Sequence, residues 1–263
     1  RHYNRELCHA CKSGVPNACK RCTVYGLSHS GGGLASESVV YASTCIPMPD
    51  TMSLKVGALV EPLTISYHAI RISGIKPGQT ALVLGAGPIG LGVLILLRVF
   101  GVEKVIVSEP AAARARHAEK FGATKVVNPL TDRDALKAAV EELTGGAGVD
   151  VAYMAASHQT ILDAALASTR AGGTVFNCAI HRGPFQLNIN DLTFHEKKLL
   201  TGMRCTDEDW IGVINAIGDG KIPYVEEMIT SVVPLSKSVE GAFLELINNT
   251  ENHVKILIAP DES

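Results

Sequence analysis

Thr80-Ala81-Leu82-Val83-Leu84-Gly85-Ala86-Gly87-Pro88-Ile89-Gly90 decides the fold. An apolar run ends in a glycine turn, and a helix-length apolar stretch, Ile89 to Phe100, leaves it. The turn satisfies G-x-G-x-x-G in strand-to-helix context. Gly85 allows the tight turn. Gly87 has no Cβ, so a pyrophosphate can approach the backbone, and Gly90 lets the helix pack closely on the sheet. The amides and positive dipole end of that helix, around Pro88 and Ile89, would then hold phosphates. Downstream the text alternates. Lys104 to Val107 reads as a strand, Ala111 to Phe121 as a helix, Val126-Val127 as a short strand and Asp132 to Leu143 as an amphipathic helix. Val149 to Tyr153, Thr160 to Arg170 and Gly173 to Asn177 read as strand, helix and strand. The strands are continuous apolar runs, which suits a parallel sheet covered on both faces. Right-handed crossovers then predict an α/β fold built on a doubly wound parallel sheet of the Rossmann type.

An acidic residue is expected at the end of the second strand, about twenty residues after the turn. Glu109 stands there, just past Val105-Ile106-Val107. Its carboxylate would accept hydrogen bonds from both ribose hydroxyls and repel a 2′-phosphate, favouring NAD over NADP. Arg114 and Arg116 lie close by and soften that preference. The alternative is an ordinary glycine turn; the context and the placed Glu109 favour cofactor binding.

Composition bounds the rest. The chain has 263 residues, 46% hydrophobic and 19% charged, enough to bury a sizeable core. Lys+Arg total 24 and Asp+Glu 26, so no basic excess recruits nucleic acid. No apolar run reaches membrane-spanning length. The first residues are polar, so no signal peptide is read, and a cytoplasmic protein is expected. Seven cysteines are unevenly placed, as reduced thiols rather than a disulfide scaffold. Cys8-x2-Cys11 and Cys19-x2-Cys22 form two thiolate pairs suited to a closed tetrahedral zinc site. Unliganded cysteines in a surface loop are the other reading. Ser38 to Tyr41 is β-like, and His29-Ser30-Gly31-Gly32-Gly33 reads as a turn. Trp210 to Ile217 and Val239 to Ile247 read as helices and Lys255 to Ile258 as a last strand.

As a set, these pieces resemble the zinc-dependent medium-chain alcohol and polyol dehydrogenases, most of all the 2,3-butanediol dehydrogenase branch. The carriers are Cys8-His9-Ala10-Cys11 through Cys19, Gly31 to Ala35, Val56-Gly57-Ala58-Leu59-Val60-Glu61-Pro62-Leu63, Ala81 to Leu91, Val107-Ser108-Glu109-Pro110 and His253 to Leu257. The resemblance implies a partial, mainly β, GroES-like catalytic domain with a cysteine-rich zinc lobe over residues 1–60. It implies a dinucleotide domain over 61–202 and a return to the catalytic domain over 203–263. It further implies NAD and zinc as cofactors, and an alcohol or diol oxidised by hydride transfer. A homo-oligomer, dimer or tetramer, is expected, since edge strands of the nucleotide domain often pair in this family.

The family's leading segment, which carries a Cys and a Gly-His-Glu for the catalytic zinc, has no counterpart here. A truncated form with impaired turnover is therefore the expectation. Alternatives are a non-catalytic NAD-binding remnant acting by self-association, or a polyol dehydrogenase acting on sorbitol or arabinitol. Glu61 is the surviving candidate for the zinc's surroundings, against a plain helix-start carboxylate. The family's first structural cysteine falls at Arg5, so Cys22 is a candidate substitute ligand. After the fourth strand the family carries an acidic residue and a glycine where this chain has Met154 and Ser157. His181 falls on the nicotinamide-side loop or is simply an exposed histidine. His68 reads as a satisfied helix histidine, and His195-Glu196 matches no ligand position. Trp210 and Phe243 read as core residues.

Overall fold

The computed structural model describes residues 8–28, 31–132 and 134–261. Arg5 and the His29-Ser30 part of the expected turn lie outside the described residues. The centre of the molecule is a six-stranded parallel sheet of β1 (Thr80–Leu84), β2 (Lys104–Ser108), β3 (Lys125–Val127), β4 (Val149–Met154), β5 (Thr169–Asn177) and β6 (Lys198–Thr201). Its spatial order is β3-β2-β1-β4-β5-β6. The order reverses between β1 and β4, so the carboxyl ends of these two strands open a crevice. Leu84 lies level with Ser108 of β2 and Met154 of β4, which brings the three following loops to one rim.

Alternation along each strand feeds two cores. Ala81, Val83, Val105, Val107, Val151 and Tyr153 face one side, packed under α1 (Val60–Ser73), α2 (Pro88–Val99) and α6 (Asp207–Gly218). Leu82, Leu84, Ile106, Ala152 and Val175 face the other, under α4 (Ala135–Thr144) and α5 (Gln159–Ser168). Because both faces are covered, the strands read as unbroken apolar runs. α3 (Ala112–Lys120) follows β2 on the first side, where Ala118 joins the core. α1 crosses α2 closely: a Cβ on Gly92 would lie 2.6 Å from Ser66 Oγ, and that hydroxyl donates to the Ile89 carbonyl at 2.9 Å. α1 ends on Gly74 at φ 75°, the left-handed turn that favours glycine.

Three elements differ from expectation. Ser38 to Tyr41 pairs with no strand among the described residues, and residues 8–59 hold only short helical turns. An extended segment becomes a strand only when a neighbour completes its ladder. The β content outside the large sheet is instead a parallel pair, β7 (Ile229–Pro234) with β8 (Lys255–Ala259). The expected helix from Val239 to Ile247 begins as a π-helical turn, Val239–Leu244, and continues as Glu245–Asn248. Phe243 on it is 48% exposed, because no described element packs on that face. No helix among the described residues is long and apolar enough to cross a membrane.

Candidate functional site

The glycine turn is built by its neighbours. Gly85 sits at φ 101°, and its amide donates to the Ser108 carbonyl at 2.9 Å, tying the turn to β2. A Cβ on Gly90 would run into the Gly85 carbonyl, so α2 packs on the turn only with glycine there. At Gly87, by contrast, a Cβ would meet nothing within 4 Å. That open space faces the start of α2, which has no side-chain cap and carries Pro88 in its first turn. Uncapped first-turn amides and room beside the backbone are what an anionic diphosphate needs. Ile89 follows Pro88, its carbonyl held by Ser66.

Glu109 lies at the end of β2 and is only 3% exposed. One carboxylate oxygen, Oε2, accepts the Ala86 amide at 2.6 Å. The other, Oε1, accepts the Ala111 amide at 2.9 Å and the Arg114 Nε at 3.1 Å, with Arg114 Nη2 also 3.1 Å away. The residue therefore braces the glycine turn as well as standing beside it, a role the spacing did not reveal. Each carboxylate oxygen takes about two donors, so Oε2 keeps a position for a ligand hydroxyl. Arg114 also reaches the Thr250 carbonyl at 3.4 Å, joining the loop to the C-terminal segment. Arg116 lines the neighbouring cleft with Glu109 and Glu119.

The rim continues across the sheet. The Ala155 amide donates to the Leu84 carbonyl at 2.9 Å, and a Cβ on Gly85 would lie 3.1 Å from that of Ala156. Ser157 follows, and its hydroxyl lies 2.9 Å from His181 Nδ1. His181 Nε2 lies 2.8 Å from Asn177 Oδ1. Only one tautomer satisfies both contacts with the amide oxygen accepting: Nε2–H donates to Asn177, and Nδ1 accepts from Ser157. The loops after β4 and β5 are thus joined above the second half of the sheet. Residue spacing could not have paired Ser157 with His181; the parallel neighbours β4 and β5 do so.

The thiol lobe gathers Cys8, Cys11 and Cys19, whose sulfurs all lie within 4.8 Å of one another. The backbone amide of Cys11, against some desolvation, lowers the Cys8 thiol to about 7. Burial and the adjacent thiols raise Cys11 to about 11. Three convergent sulfurs fit three corners of a tetrahedral zinc. Cys22 packs against this cluster, but its sulfur is not one of the mutually close three; it turns to the Thr23 carbonyl at 3.9 Å. Glu61 stands exposed in the first turn of α1 and belongs to no group of three or more metal-ligating side chains among the described residues. An exposed carboxylate outside any such group does not by itself make a zinc site.

His68 is a satisfied helix histidine. Its Nδ1 lies 2.8 Å from Asp209 Oδ2 and its Nε2 3.3 Å from Asn17 Nδ2. Asn17 sits in the thiol lobe and donates to the Met203 carbonyl at 2.7 Å. Arg71 Nε donates to Asp209 Oδ1 at 2.8 Å, and the Thr206 amide donates to Oδ2 at 2.6 Å, capping α6. The lobe is thereby fastened to α1 and α6. His195 is exposed and gathers no ligand set among the described residues, and Trp210 packs partly buried against the core.

Residues 88–219 match the family model described as zinc-binding dehydrogenase. Two Saccharomyces cerevisiae proteins are similar over 98% of this chain. They are a probable diacetyl reductase [(R)-acetoin forming], 36% identical, and an (R,R)-butanediol dehydrogenase, 35% identical. The chain spans 63% and 69% of the lengths of these two curated relatives. Among solved structures, 2R,3R-butanediol dehydrogenase from Bacillus subtilis superposes with a TM-score of 0.87 at 30% identity. That match covers 94% of this chain and 70% of that one.

Proposed function

The chain belongs to the zinc-binding medium-chain dehydrogenases, and from that premise we propose that it binds NAD along the rim of the sheet in the service of secondary-alcohol or vicinal-diol oxidation. Gly85, Gly87 and Gly90 shape the diphosphate seat, with the first-turn amides after Pro88 as donors. Glu109 takes a ribose hydroxyl on Oε2, and Arg114 offsets its charge. When bound, the nicotinamide supplies the hydride acceptor. Cys8, Cys11 and Cys19 would hold a structural zinc that cross-links the lobe, and Cys22 could take the fourth corner only after its thiol leaves the Thr23 carbonyl. Names of the yeast relatives favour a diol or acetoin-like substrate over a longer polyol. Residues 1–60 and 203–263 form the catalytic part and 61–202 the dinucleotide part.

The single observation that carries the reading is the contrast between Gly90, which the fold itself requires, and Gly87, which it does not. Gly87 has φ −70°, which any residue adopts. Gly87→Val is therefore expected to fold and melt like the unmodified chain while NAD affinity drops by roughly a hundredfold or more, a loss near 3 kcal/mol. Calorimetric titration with NAD beside metal analysis checks this; unchanged affinity in a folded Gly87→Val protein sinks the reading. Metal analysis is expected to give one zinc per chain.

A second proposal concerns assembly. β6 ends the sheet, its outer edge unpaired among the described residues, and Phe194 beside it is 77% exposed. Such an edge pairs readily with a second copy, which supports a homo-oligomer.

A further inference from the structure

We propose that His181 is a positioning residue for the nicotinamide half of the dinucleotide, clamping the loops after β4 and β5 so that Ile180 forms a fixed apolar floor. The proposal rests on the dinucleotide reading above and adds to it a residue role.

A doubly wound sheet binds one mononucleotide half on each side of its switch point. Here the first half is served by the glycine turn and Glu109, over β1 and β2. The second half must then lie over the carboxyl ends of β4 and β5. A continuous line of contacts runs into that region from the glycine turn. Ala155 is held by Leu84, Ala156 packs on Gly85, Ser157 meets His181, and His181 meets Asn177. The loop beyond β5 is pinned at further points: the Cys178 amide donates to the Met154 carbonyl at 2.9 Å, and the Asn177 side chain bonds both the amide and the carbonyl of Ala179. The Phe185 ring stands edge-on to His181 with centroids 4.2 Å apart.

Between these anchors Ile180 is 93% exposed. A large aliphatic side chain on an immobilised loop, at the end of a sheet where a planar heteroaromatic ring must lie, offers that ring an apolar surface. Ordering the loop in advance removes an entropic cost from binding. His181 is suited to the clamp because its two ring nitrogens bond to different loops at once. It touches the loops and not the reacting atoms, so its effect is confined to the part of the ligand resting on Ile180.

ADP-ribose, which keeps the adenosine, both phosphates and the second ribose but lacks the nicotinamide, separates this role from general support of the site. Calorimetric titration of the 263-residue chain is expected to show that His181→Ala weakens NAD roughly tenfold while ADP-ribose stays within about twofold. His181→Gln, which can still donate to Asn177 and accept from Ser157, is expected to recover most of the loss. Ser157→Ala is expected to reproduce part of it, with no further loss when combined with His181→Ala. Equal weakening of both ligands, or unchanged NAD affinity, overturns the proposal. If His181→Ala fails to fold by circular dichroism, Ser157→Ala and the surface variant Ile180→Ser carry the same comparison. Failure of the unmodified chain to bind either ligand is a distinct result, which removes the dinucleotide reading itself.

Discussion

Asp209 is fully buried, yet it accepts hydrogen bonds from the ring of His68, the guanidinium of Arg71 and the Thr206 amide. Desolvation pushes its carboxyl up, but the donors from His68, Arg71 and Thr206 more than reverse this and hold it well below the usual carboxylate range. A depressed folded value means the ionised form is favoured by folding. Its stabilisation is complete above the unfolded value near pH ~4 and is lost as the pH falls through the lower, folded value. Asp209→Ala is expected to cost about 3–5 kcal/mol in urea unfolding at neutral pH, since it orphans a buried network and the cap of α6. The same variant is expected to flatten the acid limb of the stability profile below about pH 4. A loss below ~1 kcal/mol would mean that water replaces the network. None of this was legible from His68 alone; its partner lies 141 positions away in sequence.

At the scale of elements, the turn between β1 and α2 is the clearest case of sequence declaring structure. Its apolar runs, three glycines and the carboxylate past β2 all carry local signals, and each occupies the expected place. β6 and β7 carried no such signal. β6 is an edge strand with Lys198 and Thr201 exposed, and β7 includes Thr230, Ser231 and a terminal Pro234, so neither presents the buried run that marked the central strands. The pairing of Ser157 with His181 escaped for another reason: both were noted as loop residues, but nothing in their spacing joins them until two parallel strands bring their ends together. The turn also yields a prediction of its own. Gly90→Ala is expected to destabilise the fold by about 3 kcal/mol, because the new methyl meets the Gly85 backbone, which cannot rotate away. Equilibrium denaturation checks it; a stability equal to that of the unmodified chain would show that α2 can slide on the sheet.

Across the whole molecule, the two cores of the large sheet, the β7–β8 pair and the thiol lobe are held by different means. Apolar packing secures the sheet, whereas the lobe hangs on polar hooks: Asn17 to His68, and Arg204 to the Asn17 carbonyl at 3.2 Å. Among the described residues, β6 is one of the two end strands of the large sheet, with β3 at the other end. Sedimentation of the unmodified chain at micromolar concentration is expected to show an oligomer, and Phe194→Asp to shift it toward monomer without lowering the melting temperature. A monomeric unmodified chain would count against the edge as an interface.

Glu109 grips Ala86 with one oxygen and Arg114 with the other. Under the proposed dinucleotide reading, specificity and architecture are thereby written into a single side chain. A lineage drifting toward a different coenzyme cannot simply discard this acid, for the same change would let go of the bend beneath it. Some other anchor for Ala86 must evolve first, so the order in which substitutions accumulate is constrained by mechanics before it is constrained by metabolism.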